Sequence, residues 1–303
     1  MFPHFIHTNE DTTPRTRLPT PRALVAHDLS CFGRCALTVV IPTLAVMGVQ
    51  PVPLPTALLS THTGGFTGFS MRDTTPDMRD ILTHWETLGL SFDAVYTGFL
   101  GGVEQTGVIA DMLGYLGNAV FKLIDPVLGD DGRLYSTITP KLVEGMCGLA
   151  ASADLITPNL TEAYLLLGKD PASAHAPHTG EQIEKIIESL RERFSPAVII
   201  TGIHSDEGGE TPHPAVSTAC YDGDNFKLIT RPRVMGSYPG TGDIFASVLL
   251  GRLFSGMTLI KAAESASDFT REIIAETSLA GTPAREGVLL EKNLYRLIER
   301  REQ

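Results

Sequence analysis

Pro239-Gly240-Thr241-Gly242-Asp243-Ile244-Phe245-Ala246 is the stretch on which the reading of this chain turns. Two glycines bracket Thr241, and the apolar residues that follow open a helix. With no Cβ atoms in the way, the backbone N–H groups of such a loop converge, and the helix start adds the positive end of its dipole. A phosphate, or a phosphoryl group in transit, fits there. Asp243 stands at the edge of that cradle, where a carboxylate can take a proton from an attacking hydroxyl. Gly-Thr-Gly-Asp alone is equally a plain helix N-terminus with an acidic first turn, so the surrounding chain has to decide.

Working outward, short apolar runs alternate with segments of helical period from Arg22 to the end. Strands are expected at 23–27, 52–58, 94–96, 120–124, 155–156, 197–200, 218–221 and 226–229. Between them, Met78, Ile81, Leu82, Trp85 and Leu88 fall on one helical face, as do Ile183, Ile186, Ile187 and Leu190. This alternation predicts an α/β fold, a mostly parallel sheet with helices on both faces. The last two strands have no helix between them and predict an antiparallel edge hairpin, turning at Asp222-Gly223-Asp224-Asn225. No repeat or composition shift interrupts residues 22–303, which read as a single domain. Residues 1–21, rich in Thr and Pro, read as a poorly ordered N-terminal extension without the apolar core of a secretion signal.

In open sheets of this kind, ligands gather beyond the carboxyl ends of the strands. The polar motifs fall at those expected ends: Asp28 after the first strand, Asp125 after the fourth, Thr157 and Asn159 after the fifth, Thr201 and Gly202 after the sixth. That coincidence points to a single site.

Composition narrows the function. A net charge of −11 with no basic stripe argues against nucleic acid, and no apolar run reaches the length of a membrane span. Cys31, Cys35, Cys147 and Cys220 are too few and too scattered for a disulfide framework, and read as small buried thiols of a cytoplasmic protein. Neither a Gly-x-x-x-x-Gly-Lys-Ser/Thr loop nor a Gly-x-Gly-x-x-Gly after the first strand is present. Phosphoryl charge would therefore have to be met by helix-terminal N–H groups and a metal, and a dinucleotide dehydrogenase is disfavoured.

Asp125-Pro126-Val127-Leu128-Gly129-Asp130-Asp131-Gly132 follows a buried-strand pattern, and Pro126 and Gly129 turn the chain so that Asp125 and Asp130 face one rim. Leu155-Ile156-Thr157-Pro158-Asn159 ends the next strand, with Glu162 just inside the following helix. These motifs, in this order and closed by the glycine loop, resemble the ribokinase-like superfamily over residues 23–294. Within it the chain is most similar to the vitamin B6 kinases (pyridoxal/pyridoxamine kinases) and the related hydroxymethylpyrimidine kinases. The resemblance implies a ribokinase-like three-layer sandwich, a homodimer, and ATP with Mg²⁺, with a monovalent cation such as K⁺ as a further ion. It also implies that Asp125, Asn159 and Glu162 hold the metal and its waters. By the same resemblance Asp130 contacts the phosphate side, and Thr157, Thr201, Gly202 and Thr241 line the nucleotide.

The acceptor half is read from His27-Asp28-Leu29-Ser30-Cys31-Phe32-Gly33 and Leu59-Ser60-Thr61-His62-Thr63-Gly64-Gly65-Phe66. Asp28 and Ser30 can hold a ring nitrogen, a phenolic oxygen or an amine. The second segment is similar to a Ser-Asn-His-Thr-Gly segment of B6 kinases, which implies Thr63 against the ring substituents and His62 as organiser of the pocket. Asp28 followed by Ser30 is instead the pattern of the hydroxymethylpyrimidine kinases. Phe99 stands where B6 kinases place a stacking Tyr, and Leu58 or Leu59 lines the opposite wall. The expected reaction is ATP-dependent phosphorylation of a hydroxymethyl group on a flat heteroaromatic ring. Asp243 acts as base, and Gly240, Thr241 and Gly242 supply the anion-binding amides. Hydroxymethylpyrimidine as acceptor, and a catalytically silent binder, stay open at this point.

Overall fold

In the computed structural model, residues 20–194, 196–205 and 214–298 are described. The strands, in chain order, are β1 (Arg22–Ser30), β2 (Gln50–Leu59), β3 (Met71–Asp73), β4 (Ala94–Thr97), β5 (Phe121–Ile124), β6 (Gly129–Asp130), β7 (Arg133–Leu134), β8 (Leu155–Ile156), β9 (Ala197–Ser205), β10 (Ala215–Tyr221) and β11 (Phe226–Pro232). The helices are α1 (Leu37–Val46), α2 (Thr75–Thr87), α3 (Val103–Leu116), α4 (Pro140–Ala150), α5 (Leu160–Leu166), α6 (Gly180–Phe194), α7 (Thr241–Phe254) and α8 (Leu259–Ala280). All strands but β6 and β7 join one sheet in the order β11-β10-β9-β8-β5-β4-β1-β2-β3. From β9 to β2 every pairing is parallel, whereas β10, β11 and β3 add antiparallel edges.

The sheet buries both faces, which is why its strands read as continuous apolar runs. Leu24 and Ala26 of β1 face a core filled by Met78, Ile109, Leu142, Ala163 and Ile187 of α2 to α6. Ala23 and Val25 face the other core, filled by Leu37, Val40, Ile244, Leu249 and Ala263 of α1, α7 and α8. The result is the expected three-layer sandwich. Helix starts follow sequence chemistry: Thr139 caps α4 ahead of Pro140, and Asn159 with Glu162 forms a capping box on α5. Strand order reverses between β1 and β4, so a crevice opens at their carboxyl ends.

Several boundaries differ from expectation. β1 runs on through Asp28 to Ser30, and β9 runs on past Thr201 and Gly202 to Ser205, so these residues sit inside strands and not after them. The edge hairpin is a three-strand unit because β10 pairs with β9 as well as β11. Its turn forms as read, with Asp222 Oδ1 accepting from the Asp224 and Asn225 N–H groups. Leu88 lies beyond the end of α2 and is 57 % exposed, off the face that Met78 buries. Cys31 is exposed, against the expectation of a buried thiol, while Cys35 and Cys220 are buried. β3 and the β6–β7 hairpin are too short to carry a pattern. The extension at 1–21, apart from Thr20 and Pro21, lies outside the described residues, as do residues 206–213. Among the described residues, no helix is long and apolar enough to cross a membrane.

Candidate active site

A cleft of about 680 Å³ opens above the strand-order reversal and is lined by every residue nominated from sequence. One wall carries Asp28, Ser30, Leu59, His62, Thr63 and Phe99. Asp125, Asp130, Thr157, Asn159, Glu162, Thr201 and Gly202 form the opposite rim. Gly240, Thr241, Gly242 and Asp243 close the floor between them. The choice between Leu58 and Leu59 falls to Leu59, which is buried at the cleft, while Leu58 is exposed.

The glycine loop enters α7 as its sequence requires. Gly240 has φ +84°, and a Cβ there would come within 2.2 Å of the Arg34 carbonyl oxygen. Only glycine satisfies both the left-handed turn and the close approach. Gly242 is different: a Cβ there would meet nothing within 4 Å, so space stands open over the helix start. The first intrahelical bond of α7 runs from Ile244 N–H to the Gly240 carbonyl. The N–H groups of Thr241, Gly242 and Asp243 therefore precede the helical ladder, the arrangement of an anion-binding helix start. The Thr241 hydroxyl donates to the Tyr238 carbonyl, so this residue offers the cleft its amide and uses its side chain to hold the loop.

Asp243 is held by two donors. Its Oδ2 accepts from the Ala36 N–H at 2.6 Å, at the start of α1, and its Oδ1 is 3.0 Å from His27 Nε2. Each carboxylate oxygen has a second acceptor site left for a substrate proton. Burial alone would raise this carboxyl; the charge and hydrogen bond of His27 and the Ala36 N–H outweigh it and hold Asp243 below the usual range. Asp243 is thus ionised at any working pH.

On the acidic rim, Asp125 is 7 % exposed, and burial pushes its carboxyl well above the usual range, with the charges of Glu162 and Asp243 adding to the effect. Both oxygens of Glu162 accept backbone N–H groups, from Leu128 and from Asn159. Asn159 in turn accepts from the Glu162 N–H and donates to the Gly129 carbonyl. These two residues consequently lock the β5 and β8 ends together, and Asp125 and Asp130 are the other carboxylates of this rim. Among the described residues, no three His, Cys, Asp or Glu side chains form a ready-made metal cage. A buried carboxylate beside two others is nonetheless the donor set of a hard cation that keeps most of its shell in water and phosphate oxygen.

His62 accepts from the Gly64 N–H through Nδ1 and lies 2.7 Å from the Arg285 carbonyl through Nε2. It pins the loop at 59–66 to the chain beyond α8.

Sequence reading passed over His27, whose ring joins Asp28 to Asp243. A histidine directly before the rim aspartate was the available signal. It also passed over Arg231, Arg233 and Arg271, which line the cleft of this acidic protein, Arg231 in a bidentate pair with Asp268. Arg231 and Arg233 lie at the end of β11 and just after it, whereas Arg271 lies far along the chain on α8, so no motif announces the three together. Residues 233–234 and 236–238 form one wall.

Residues 38–286 match the family described as phosphomethylpyrimidine kinase. A candidate phosphomethylpyrimidine kinase of Bacteroides thetaiotaomicron, crystallised with pyridoxal, is 37% identical, with 94% of this chain and 98% of that one covered at a TM-score of 0.81. The pyridoxal kinase of Lactobacillus plantarum is 30% identical, with 92% and 96% covered and a TM-score of 0.81. A pyridoxine/pyridoxal/pyridoxamine kinase of Bordetella avium is 26% identical over 261 residues, 82% of this chain and 83% of that one.

Proposed function

This chain belongs to the phosphomethylpyrimidine kinase family, and from that footing we propose that it phosphorylates the hydroxymethyl group of a B6 vitamer with ATP. Pyridoxal, pyridoxine and pyridoxamine are the acceptors. The observation that carries the reading is the ionised Asp243 beside an open, amide-lined helix start, in one cleft with an aromatic acceptor wall and a buried acidic rim. Relatives named as kinases of pyridoxal and its vitamers support the choice of acceptor.

The acceptor ring lies between Phe99 and Leu59, with Asp28, Ser30 and Thr63 at its polar edge. Its hydroxymethyl oxygen approaches Asp243 and attacks the γ-phosphorus. The new O–P bond forms as the bridging P–O bond breaks, and that electron pair leaves with ADP. Asp243 takes the hydroxyl proton and then releases it to solvent. A carboxylate held below the usual range is a weak base, which suffices because phosphoryl transfer passes through a loose transition state with little early demand for the proton. The amides of residues 241–243 meet the charge on the transferred group. Asp125, with Asn159 and Glu162 behind it, would hold Mg²⁺, which neutralises phosphate charge when bound.

One further reading, hydroxymethylpyrimidine as acceptor, is favoured by the description of the matching family and by the Asp28–Ser30 pair, in which Ser30 donates to Asp28 Oδ2. An ADP-release assay across the three B6 vitamers and hydroxymethylpyrimidine separates the two. The best vitamer should exceed hydroxymethylpyrimidine in kcat/KM by at least about tenfold, roughly 1.4 kcal/mol of transition-state binding. A reversed ranking would reassign the acceptor.

The same rim sets a pH dependence of stability. Burial raises Glu162 to about 7 and Asp125 also upward, so both bind protons more tightly in the folded state. Their ionisation weakens the fold as pH rises from the unfolded carboxyl range, about 4, through about 7. His27, raised to about 10, contributes stability that is lost as pH rises from the unfolded value of about 6.5 through about 10. All three act in one direction. The ligand-free protein should melt at a higher temperature near about pH 6 than near about pH 9, and Mg²⁺ with nucleotide should narrow the gap. A higher Tm on the alkaline side would contradict the burial of these groups.

A further inference from the structure

His27 lies near the carboxyl end of β1, 2 % exposed, with its ring between two carboxylates. Nδ1 is 3.0 Å from Asp28 Oδ1 and Nε2 is 3.0 Å from Asp243 Oδ1. Ser30 donates to the other Asp28 oxygen, and the Ala36 N–H donates to the other Asp243 oxygen. A continuous run of contacts therefore joins Ser30, Asp28, His27, Asp243 and the start of α1, from the acceptor wall to the reacting centre.

The backbone has been shaped around this ring. Opposite Asp28 the β1–β2 register slips, His27 pairing with Pro55 but Leu29 with Leu58, a bulge of the kind that re-aims side chains beside active sites. On the neighbouring strand end, a Cβ at Gly98 would come within 2.0 Å of the imidazole, so a glycine leaves the ring its place.

Resting on the reading of Asp243 as the base, we propose that His27 is a positioning residue. As an imidazolium it fixes the Asp243 carboxylate and couples it to Asp28, so that acceptor grip and base move as one body. Two facing carboxylates call for two N–H donors, and a neutral ring has only one. One contact opposes this: the Asp28 N–H approaches Nδ1 at 2.9 Å and favours an unprotonated nitrogen there. Two full negative charges outweigh one peptide dipole. The other groups facing the pair are Asp125 at the β5 end, the edge-on ring of Tyr96 from β4, and His62 toward Asp243. Burial disfavours the imidazolium, but the charges and hydrogen bonds of Asp243 and Asp28 together raise it to about 10, in keeping with the geometry.

Nitrogen NMR of the ring in the ligand-free protein tests the charge without relying on activity. Both ring nitrogens should stay protonated from about pH 6 to about pH 9; a neutral ring in that window overturns the proposal. Kinetics test the role. His27→Leu should lower kcat with pyridoxal roughly 10–100-fold and leave KM for ATP within about threefold. It should also move the acid limb of kcat/KM upward by about 1–3 pH units, because Asp243 loses its cation. His27→Asn, which restores one donor but no charge, should recover part of kcat while keeping the displaced limb. An unmoved acid limb in both variants, with activity lost only in proportion to folded protein, would reduce His27 to packing. A wild-type protein with no turnover on any acceptor would instead sink the kinase reading, and the NMR result would still judge the clamp.

Discussion

Asp243→Asn should cut kcat by a factor on the order of 10²–10⁴ and leave KM for ATP within about threefold. The reasoning begins with acceptor counting. Asp243 receives two donors on separate oxygens, His27 Nε2 at 3.0 Å and Ala36 N–H at 2.6 Å. Asparagine has one carbonyl oxygen, so its NH₂ group must face one of those donors. It also cannot take the hydroxyl proton. Part of the loss will therefore appear as stability, roughly 1–3 kcal/mol for a buried donor left unpaired. A melting curve on the variant, run beside steady-state kinetics with saturating ATP, separates the two effects. Near-normal turnover in a folded variant would remove Asp243 from the role of base.

Alanine at position 240 should be as damaging by another route. The residue sits at φ +84°, and its new methyl would fall 2.2 Å from the Arg34 carbonyl oxygen and 2.8 Å from the Cys35 Cα, both backbone atoms. Neither contact can be relieved by a rotamer change. The left-handed conformation alone costs about 1–3 kcal/mol for a residue with a Cβ. Moving the loop to relieve it carries Asp243 away from Ala36. Gly240→Ala should thus lose both stability and kcat. Gly242→Ala gives the contrast, because its methyl meets nothing within 4 Å. That variant should fold like the parent and lose ATP affinity, since the methyl occupies the space an anion needs. Equal thermal stabilities for the two variants would contradict the account of the loop.

Much of this site was written in local sequence. The glycine loop, Asp125 with Pro126, and Asn159 with Glu162 each carry backbone chemistry of their own, and each forms where that chemistry places it. The alternation of apolar strands and amphipathic helices likewise fixes the layers, because a sheet buried on both faces leaves no polar period to misread. What stayed hidden is non-local. His27 looked like one more polar residue near a strand end, and its partner Asp243 is 216 residues away. Arg231, Arg233 and Arg271 meet at one end of the cleft only because β11 and α8 pack side by side. Glu162 was read for its charge, whereas one oxygen closes the capping box on the Asn159 N–H and the other accepts from the Leu128 N–H across the cleft rim, a contact that spacing alone does not reveal.

The most direct measurement is identification of the product. The protein, incubated with Mg²⁺, ATP and pyridoxal, should yield pyridoxal 5′-phosphate and ADP in equal amounts, read by phosphorus NMR and mass spectrometry. Removing Mg²⁺ should stop both together. ADP formed without a phosphorylated vitamer, or no ADP with any of the three vitamers, would contradict the assignment of this cleft.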